Sequence, residues 1–257
     1  MKNLKDKIVF ITGASSGIGK ACAELFARHK AKLIIASRRI DRLKNFSSAL
    51  EKKYKSKIRI LRLDVRNQKA VADAVSKLSD NWKAIDILIN NAGLSRGLDN
   101  LYEGKIRDWE EMIDTNVKGL LYVSRAVIPL MLKRKSGHVI NIGSVAGREV
   151  YPKGNVYCAT KHAVDSITKG MRIDLNGTGI KVTSIDPGLV ETEFSIVRFH
   201  CDKERAEKVY EGIEPLTPED VADAVYFAAT RRKNVVIADM LLFPLCQASS
   251  SIVSRKK

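Results

Sequence analysis

Short runs of β-branched and aliphatic residues alternate with longer amphipathic stretches along the whole of this chain. No other feature narrows the fold as much. Strand patterns fall at 7–12, 32–37, 57–63, 85–90, 138–142, 181–185 and 235–242. Helix patterns fall at 17–29, 40–54, 68–78, 109–134, 156–176, 203–211 and 218–229. Runs such as Ile85-Asp86-Ile87-Leu88-Ile89 are almost continuously apolar, as strands are when both faces of a parallel sheet are covered. Parallel neighbours need a long crossover, and the helix between each pair of strands supplies it. The expected fold class is therefore α/β: a Rossmann-type, doubly wound parallel sheet of about seven strands flanked by helices. The 257 residues contain no linker, repeat or low-complexity segment, so 1–257 reads as a single domain.

Two segments break the pattern, 95–107 and 187–214. Each follows the end of a strand, where open α/β sheets bind their ligands. Segment 187–214 opens with Pro187-Gly188 and is expected to cover a substrate. The serine- and lysine-rich 249–257 reads as a flexible tail unless a partner subunit holds it.

The net charge is +16, from 45 lysines and arginines against 29 acids. The basic residues are spread along the chain, and their densest groups (52–57, 133–135 and 255–257) fall where helices should end and cations are favoured. A solvated basic surface is expected, with no nucleic-acid partner. Cys22, Cys158, Cys201 and Cys246 form no C-x-x-C pair, and the four histidines form no metal-ligand spacing. No metal and no disulfide framework are expected. No apolar run nears the roughly 20 residues that span a bilayer, and segment 1–7 lacks the features of a signal peptide. The expectation is a cytoplasmic protein without membrane contact.

Gly13-Ala14-Ser15-Ser16-Gly17-Ile18-Gly19 lies between the first strand and the first helix. Glycines allow a tight turn and a close approach of backbone to phosphate, and the helix N-terminus adds free N–H groups and partial positive charge. The spacing is G-x-x-x-G-x-G rather than the usual G-x-G-x-x-G, but its place before a helix supports a dinucleotide site. The second strand ends in Ser37-Arg38-Arg39. An acid there would bind a ribose 2′-hydroxyl; an arginine instead suits a 2′-phosphate. NADP is the expected cofactor, with Arg38 the preferred ligand, Arg39 beside it, and Asp41 as a possible cap of the following helix.

Tyr157 and Lys161 are four apart and share a helix face. A nearby ammonium favours the phenolate, so the pair can act as a tuned acid/base. Together with the glycine loop, Asn90-Asn91-Ala92-Gly93, Asn116, Ser144 and Tyr157/Lys161, the chain resembles the short-chain dehydrogenase/reductase family over most of its length. The stretches 140–147, 154–157, 187–195 and 235–239 are more closely similar to NADP-dependent 3-hydroxy acid, or serine, dehydrogenases.

The resemblance implies an oxidoreductase acting on a small 3-hydroxy acid such as serine or allo-threonine, and a homotetramer. It implies that Tyr157 is the general acid/base, that Lys161 lowers the tyrosine pKa and binds the nicotinamide ribose, and that Ser144 holds the reacting oxygen. By the same analogy Asn116 bends its helix and holds a water of the proton relay. Asn91 and Gly93 should border the ribose side, Asp64 and Val65 the adenine, and Pro187, Gly188, Val190 and Thr192 the nicotinamide. A substrate carboxylate needs a cation, and Arg148 and Arg198 are the candidates. The same catalytic set would serve a 3-oxoacyl carrier-protein reductase or a general NADPH carbonyl reductase. An NADP(H)-sensing regulatory protein is the non-enzyme alternative.

Overall fold

The computed structural model describes residues 4–256; segment 1–3 and Lys257 lie outside the described residues, and so do the expectations that fall on them. Among the described residues, seven strands form one sheet in the order β3-β2-β1-β4-β5-β6-β7. They are β1 (Ile8–Thr12), β2 (Lys32–Ser37), β3 (Ile58–Arg62), β4 (Ile85–Asn90), β5 (Gly137–Ile142), β6 (Ile180–Pro187) and β7 (Asp239–Leu242). Every neighbouring pair is parallel. The helices are α1 (Gly17–Arg28), α2 (Ile40–Tyr54), α3 (Gln68–Ser76), α4 (Asp80–Lys83), α5 (Ile106–Ile113), α6 (Gly119–Lys133), α7 (Asn155–Asp174), α8 (Phe194–Arg198), α9 (Lys203–Lys208) and α10 (Pro218–Ala229). This is the doubly wound architecture expected from the alternation.

Alternate residues of one strand feed opposite cores, which is why those strands are apolar throughout. In β1, Val9 and Ile11 join the core beneath α1, α2 and α10. Ile8 and Phe10 join the core beneath α3 and α6. Strand order reverses between β1 and β4, because the chain builds outward to β3 and then returns to the other side of β1. The chain leaves β1 and β4 toward opposite sides of the sheet there, and a crevice lies at the carboxyl ends of the strands.

Several boundaries differ from the sequence expectation. The helix expected over 109–134 begins earlier and is interrupted: α5 runs into a π-helical turn, Asp114–Lys118, before α6. An extra residue in that turn displaces Asn116 from regular α-helical register. The last strand is only Asp239–Leu242, since 235–238 lacks ladder pairing beyond the backbone bonds at its end. Asp41 lies in the first turn of α2, whose N-cap is Arg39, so Asp41 does not cap the helix. Two of the three basic clusters do sit at helix ends, those of α2 and α6; 255–256 does not.

The expected flexible tail is tied to its own chain. Gln247 pairs with Val253 in an antiparallel bridge, and Lys256 N–H donates to the Gly212 carbonyl at 2.7 Å. Ser250 N–H donates to Glu149 at 2.8 Å. Backbone and acid partners within the chain give these polar residues the anchoring that their composition alone does not.

His138 on β5 gives the fold an acid-sensitive point. It is 3% exposed, and burial pushes its pKa down from 6.5 to about 3. Thr183 donates its hydroxyl to the Ile237 carbonyl, so His138 Nε2–H must donate to Thr183 Oγ1 at 2.8 Å. Nδ1 is then a buried acceptor without a partner, and protonating it would bury an unpaired charge. Between pH 6.5 and about 3 the unfolded chain binds this proton and the folded chain does not. Stability is therefore expected to fall as pH drops through that window, by on the order of a few kcal/mol from this residue. Urea unfolding at pH 7 and pH 4 measures it; a His138→Leu variant with the same pH dependence as the parent would refute the assignment.

Candidate active site

The crevice is a cavity of about 570 Å³. Gly13, Ser15, Ser16, Gly17, Ile18, Arg38, Arg39, Asp64, Val65, Asn91 and Gly93 line one part of it. Ser144, Tyr157, Lys161, Pro187, Gly188, Val190, Thr192 and Arg198 line the rest. Of the residues expected from sequence, Gly19, Asn116 and Arg148 do not border it.

The glycine loop is shaped to receive an anion. Gly13 has φ +67°, a left-handed conformation that a side chain would strain. Gly19 lies against the loop so closely that a Cβ would sit 2.7 Å from the Gly13 carbonyl oxygen and on the Asn91 amide. Asn91 Nδ2 donates to the Thr12 carbonyl at 2.9 Å, and Thr12 Oγ1 accepts from Asn91 N–H and Ala92 N–H at 3.0 Å each. These bonds lock the loop after β4 to the loop after β1. Ser16 is the N-cap of α1 but makes no side-chain cap, which leaves the first-turn N–H groups for a ligand. The donor set therefore fits a dinucleotide pyrophosphate.

The two arginines after β2 behave differently. Arg38 is half exposed, with Nη1 3.7 Å from Glu111. Arg39, the lesser candidate in sequence, lies across the glycine loop: Nε donates to Ser15 Oγ at 3.1 Å and Nη2 to Ser16 Oγ at 2.6 Å. Asp64 is paired with Arg66 at 2.7 Å at the far rim.

At the other end of the cavity, Tyr157 is 8% exposed on α7, its ring edge-on to Phe194 at 5.5 Å. Burial pushes the phenol above its usual pKa; the charge of Arg198 and a hydrogen bond with Ser144 work against that rise. Lys161 Nζ donates to the Ile142 carbonyl at 3.0 Å and lies 6.0 Å from the tyrosine ring centroid. Burial pushes the Lys161 pKa down to about 8, with Asp186 opposing. Ser144 caps a short turn, Val145–Gly147, its Oγ accepting from Ala146 N–H at 3.1 Å. That bond fixes the hydroxyl at the cavity wall.

Asn116 acts one layer behind. Its Oδ1 accepts from Leu94 N–H, its Nδ2 donates to the Leu94 carbonyl, both at 2.8 Å, and Nδ2 also lies 3.0 Å from Thr160 Oγ1. One side chain thus ties the loop after β4 to α7 beside Lys161.

Arg148, the other candidate for a substrate carboxylate, lies outside the cavity lining. Its guanidinium grips Asp186 at 3.0 and 2.5 Å, and that carboxylate is only 3% exposed. A buried anion requires such a partner. Asp186 also accepts from Ser184 Oγ at 2.5 Å and packs against Gly143, so the ion pair anchors the Ser144 loop from behind. Arg198 is placed quite differently. Its guanidinium lies 5.1–5.7 Å from the rings of Phe194, Tyr157 and Tyr151 and donates to the Tyr151 hydroxyl at 2.6 Å. The Arg198 Nε is buried with no hydrogen-bond partner.

Sequence reasoning passed over Tyr151, Asp186, Glu193, Arg42 and Gln247. A carboxylate closing a buried strand signals a hidden cation, so Asp186 was findable. Arg42 shares a helix face with Arg39, three residues away. Gln247, whose Oε1 accepts from Leu189 N–H at 2.8 Å, and Glu193 carry no local signal. Among the described residues, no group of three or more His, Cys, Asp or Glu could hold a metal ion, and no helix is long and apolar enough to cross a membrane.

The family model for short chain dehydrogenase matches residues 7–200. An NADP-dependent 3-hydroxy acid dehydrogenase of Schizosaccharomyces pombe (strain 972) is 46% identical over 258 residues, covering 100% of both chains. The NADP-dependent 3-hydroxy acid dehydrogenase YdfG of Escherichia coli (strain K12) is 44% identical, covering 95% of this chain and 98% of its own. Among solved structures, the closed form of serine dehydrogenase complexed with NADP+ superposes with a TM-score of 0.91 at 43% identity, covering 97% of this chain and 100% of the other.

Proposed function

Because this chain belongs to the short chain dehydrogenase family, we propose that it interconverts a small 3-hydroxy acid, such as serine or allo-threonine, and the matching carbonyl acid with NADP(H). The observation that carries the substrate class is Arg198, a guanidinium held over the Tyr157 ring at 5.3 Å in the same cavity, with a buried Nε that no protein group satisfies. A carboxylate bound there would set the hydroxyl of a 3-hydroxy acid beside Tyr157 and Ser144.

Bound NADP(H) supplies the hydride chemistry. The glycine loop and α1 hold its pyrophosphate, with Asp64, Val65, Asn91 and Gly93 flanking the adenosine. Arg38 and Arg39 hold the 2′-phosphate. Pro187, Gly188, Val190 and Thr192 cover the nicotinamide. Tyr157 takes the hydroxyl proton in oxidation and returns it in reduction. Ser144 donates a hydrogen bond to the reacting oxygen. Lys161 binds the nicotinamide ribose, and Asn116 keeps α7 and the loop after β4 in register.

We read the working form as a cytoplasmic homotetramer. Four unpaired cysteines support the compartment. Exposed Ile173, Leu245 and Ile252 support an assembly. The test is a panel of L-serine, allo-threonine, 3-hydroxypropionate and simple alcohols with NADP+ and NAD+ in parallel, on protein whose assembly is read by sedimentation. NADPH should form with the hydroxy acids, and NADP+ should be preferred at least about tenfold, since a lost charged contact costs about 1.5–3 kcal/mol. Tight NADPH binding without turnover of any alcohol would sink the enzymatic reading.

A further inference from the structure

One of the two arginines assigned to the 2′-phosphate, Arg39, already has an anionic partner, whereas Arg38 faces Glu111. Glu193 lies in the segment between β6 and α8 and accepts from Arg39 Nη1 at 2.7 Å and from Arg42 Nη1 at 2.6 and 2.9 Å. Arg39 is at the same time bound to Ser15 and Ser16 of the glycine loop. Burial alone would raise the Glu193 pKa, but the hydrogen bonds from Arg39 and Arg42 outweigh it and hold the carboxyl below its ordinary range. Glu193 is therefore an anion at neutral pH, standing between Arg39 and Arg42.

Its chain neighbours reach the rest of the site. The Thr192 side chain lies 3.2 Å from where a Cβ on Gly17 would be, and Phe194 packs on Tyr157. Arg198 follows at the end of α8. The tie between Glu193 and the arginines is partly exposed, with 41% of the Arg39 and of the Glu193 side chain accessible. Such a pair is weak and open to exchange. A phosphate monoester carries about −1.5 to −2 charges and three acceptor oxygens, so it outcompetes a single carboxylate for a guanidinium.

We propose that Glu193 is a selectivity residue, an internal carboxylate that occupies Arg39 of the 2′-phosphate site, with Arg42 beside it, and is displaced when NADP(H) binds. The proposal rests on the coenzyme reading given above. The 2′-phosphate has to win Arg39 from a built-in competitor, whereas a coenzyme without that phosphate leaves the tie intact. The same exchange frees the stretch bearing Phe194 and Arg198 from its anchor on α2.

The test is calorimetric titration of the full chain with NADP+, NAD+, adenosine 2′,5′-bisphosphate and 5′-AMP, for the parent, Glu193→Gln and Glu193→Ala. Both variants should bind NADP+ and the bisphosphate about three- to tenfold more tightly, the scale set by losing one or two partly exposed ion pairs. NAD+ and 5′-AMP should stay within about twofold. Unchanged or weaker binding of the 2′-phosphate ligands overturns the proposal, and so does equal tightening of all four. A parent protein that binds NAD+ as tightly as NADP+ overturns the coenzyme reading and this inference together. A parent that prefers NADP+, with an unaltered ratio in both variants, overturns this inference alone. Thermal unfolding of each variant confirms that the titrated protein is folded.

Discussion

Replacing Tyr157 by phenylalanine is expected to lower kcat by about 10²- to 10⁴-fold, the usual contribution of a positioned general acid/base. The phenol lines the cavity, with a hydrogen bond to Ser144 and the Arg198 guanidinium 5.3 Å from its ring. Its ring stays in the variant and keeps the edge contact with Phe194, so the Kd for NADP+ should change by less than about twofold, as for a substitution that spares coenzyme contacts. Burial holds the Tyr157 pKa above its ordinary value. Oxidation needs the phenolate, so the parent rate should rise as pH increases from neutral into the alkaline range. Single-turnover kinetics and a pH profile check both points. A Tyr157→Phe enzyme keeping more than about a tenth of the parent kcat would remove Tyr157 from the chemistry.

Arg198→Leu is expected to reduce kcat/KM for L-serine by roughly 10- to 100-fold, because a hydrogen-bonded charge partner is worth about 1.5–3 kcal/mol. Part of that loss is shared by all substrates, since the Arg198 charge also favours the Tyr157 phenolate. The carboxylate contribution is therefore read from a ratio. An uncharged alcohol of similar size should lose far less than serine does. A fall of equal size for both substrates would show that Arg198 tunes the tyrosine and leaves the carboxylate to another group. Arg148 offers no substitute, because its guanidinium is committed to Asp186 and reaches toward Asp239.

Much of the site was legible because its components are local. The glycine loop, Ser144, and the Tyr157/Lys161 pair each occupy a few adjacent residues or one helix face, and the structure brings them to one cavity. The NADP(H) inference came from Ser37-Arg38-Arg39 in the same way. Local spacing does not show how those side chains are spent. Position alone favours Arg38, and the structure adds that Arg39 spans the phosphate loop. Lys161 is bonded to the Ile142 carbonyl, and Arg198 adds a second positive charge near the tyrosine. The helix expected over 109–134 hid the π-helical turn that carries Asn116, because periodicity over a long apolar stretch tolerates one inserted residue.

The amino-acid sequence by itself determined the doubly wound sheet, the crevice at its strand ends and most of the residues that line it. Backbone geometry at short range dictates these: two-residue alternation, helical periodicity, and the turns that glycine permits. The tertiary structure alone decided which cation serves which anion. Arg39 and Glu193 are 154 positions apart, and Arg148 and Asp186 are 38 apart. No local spacing encodes such pairs. They form because folding brings buried or half-buried charges together, and each must then find a partner in the space that is left.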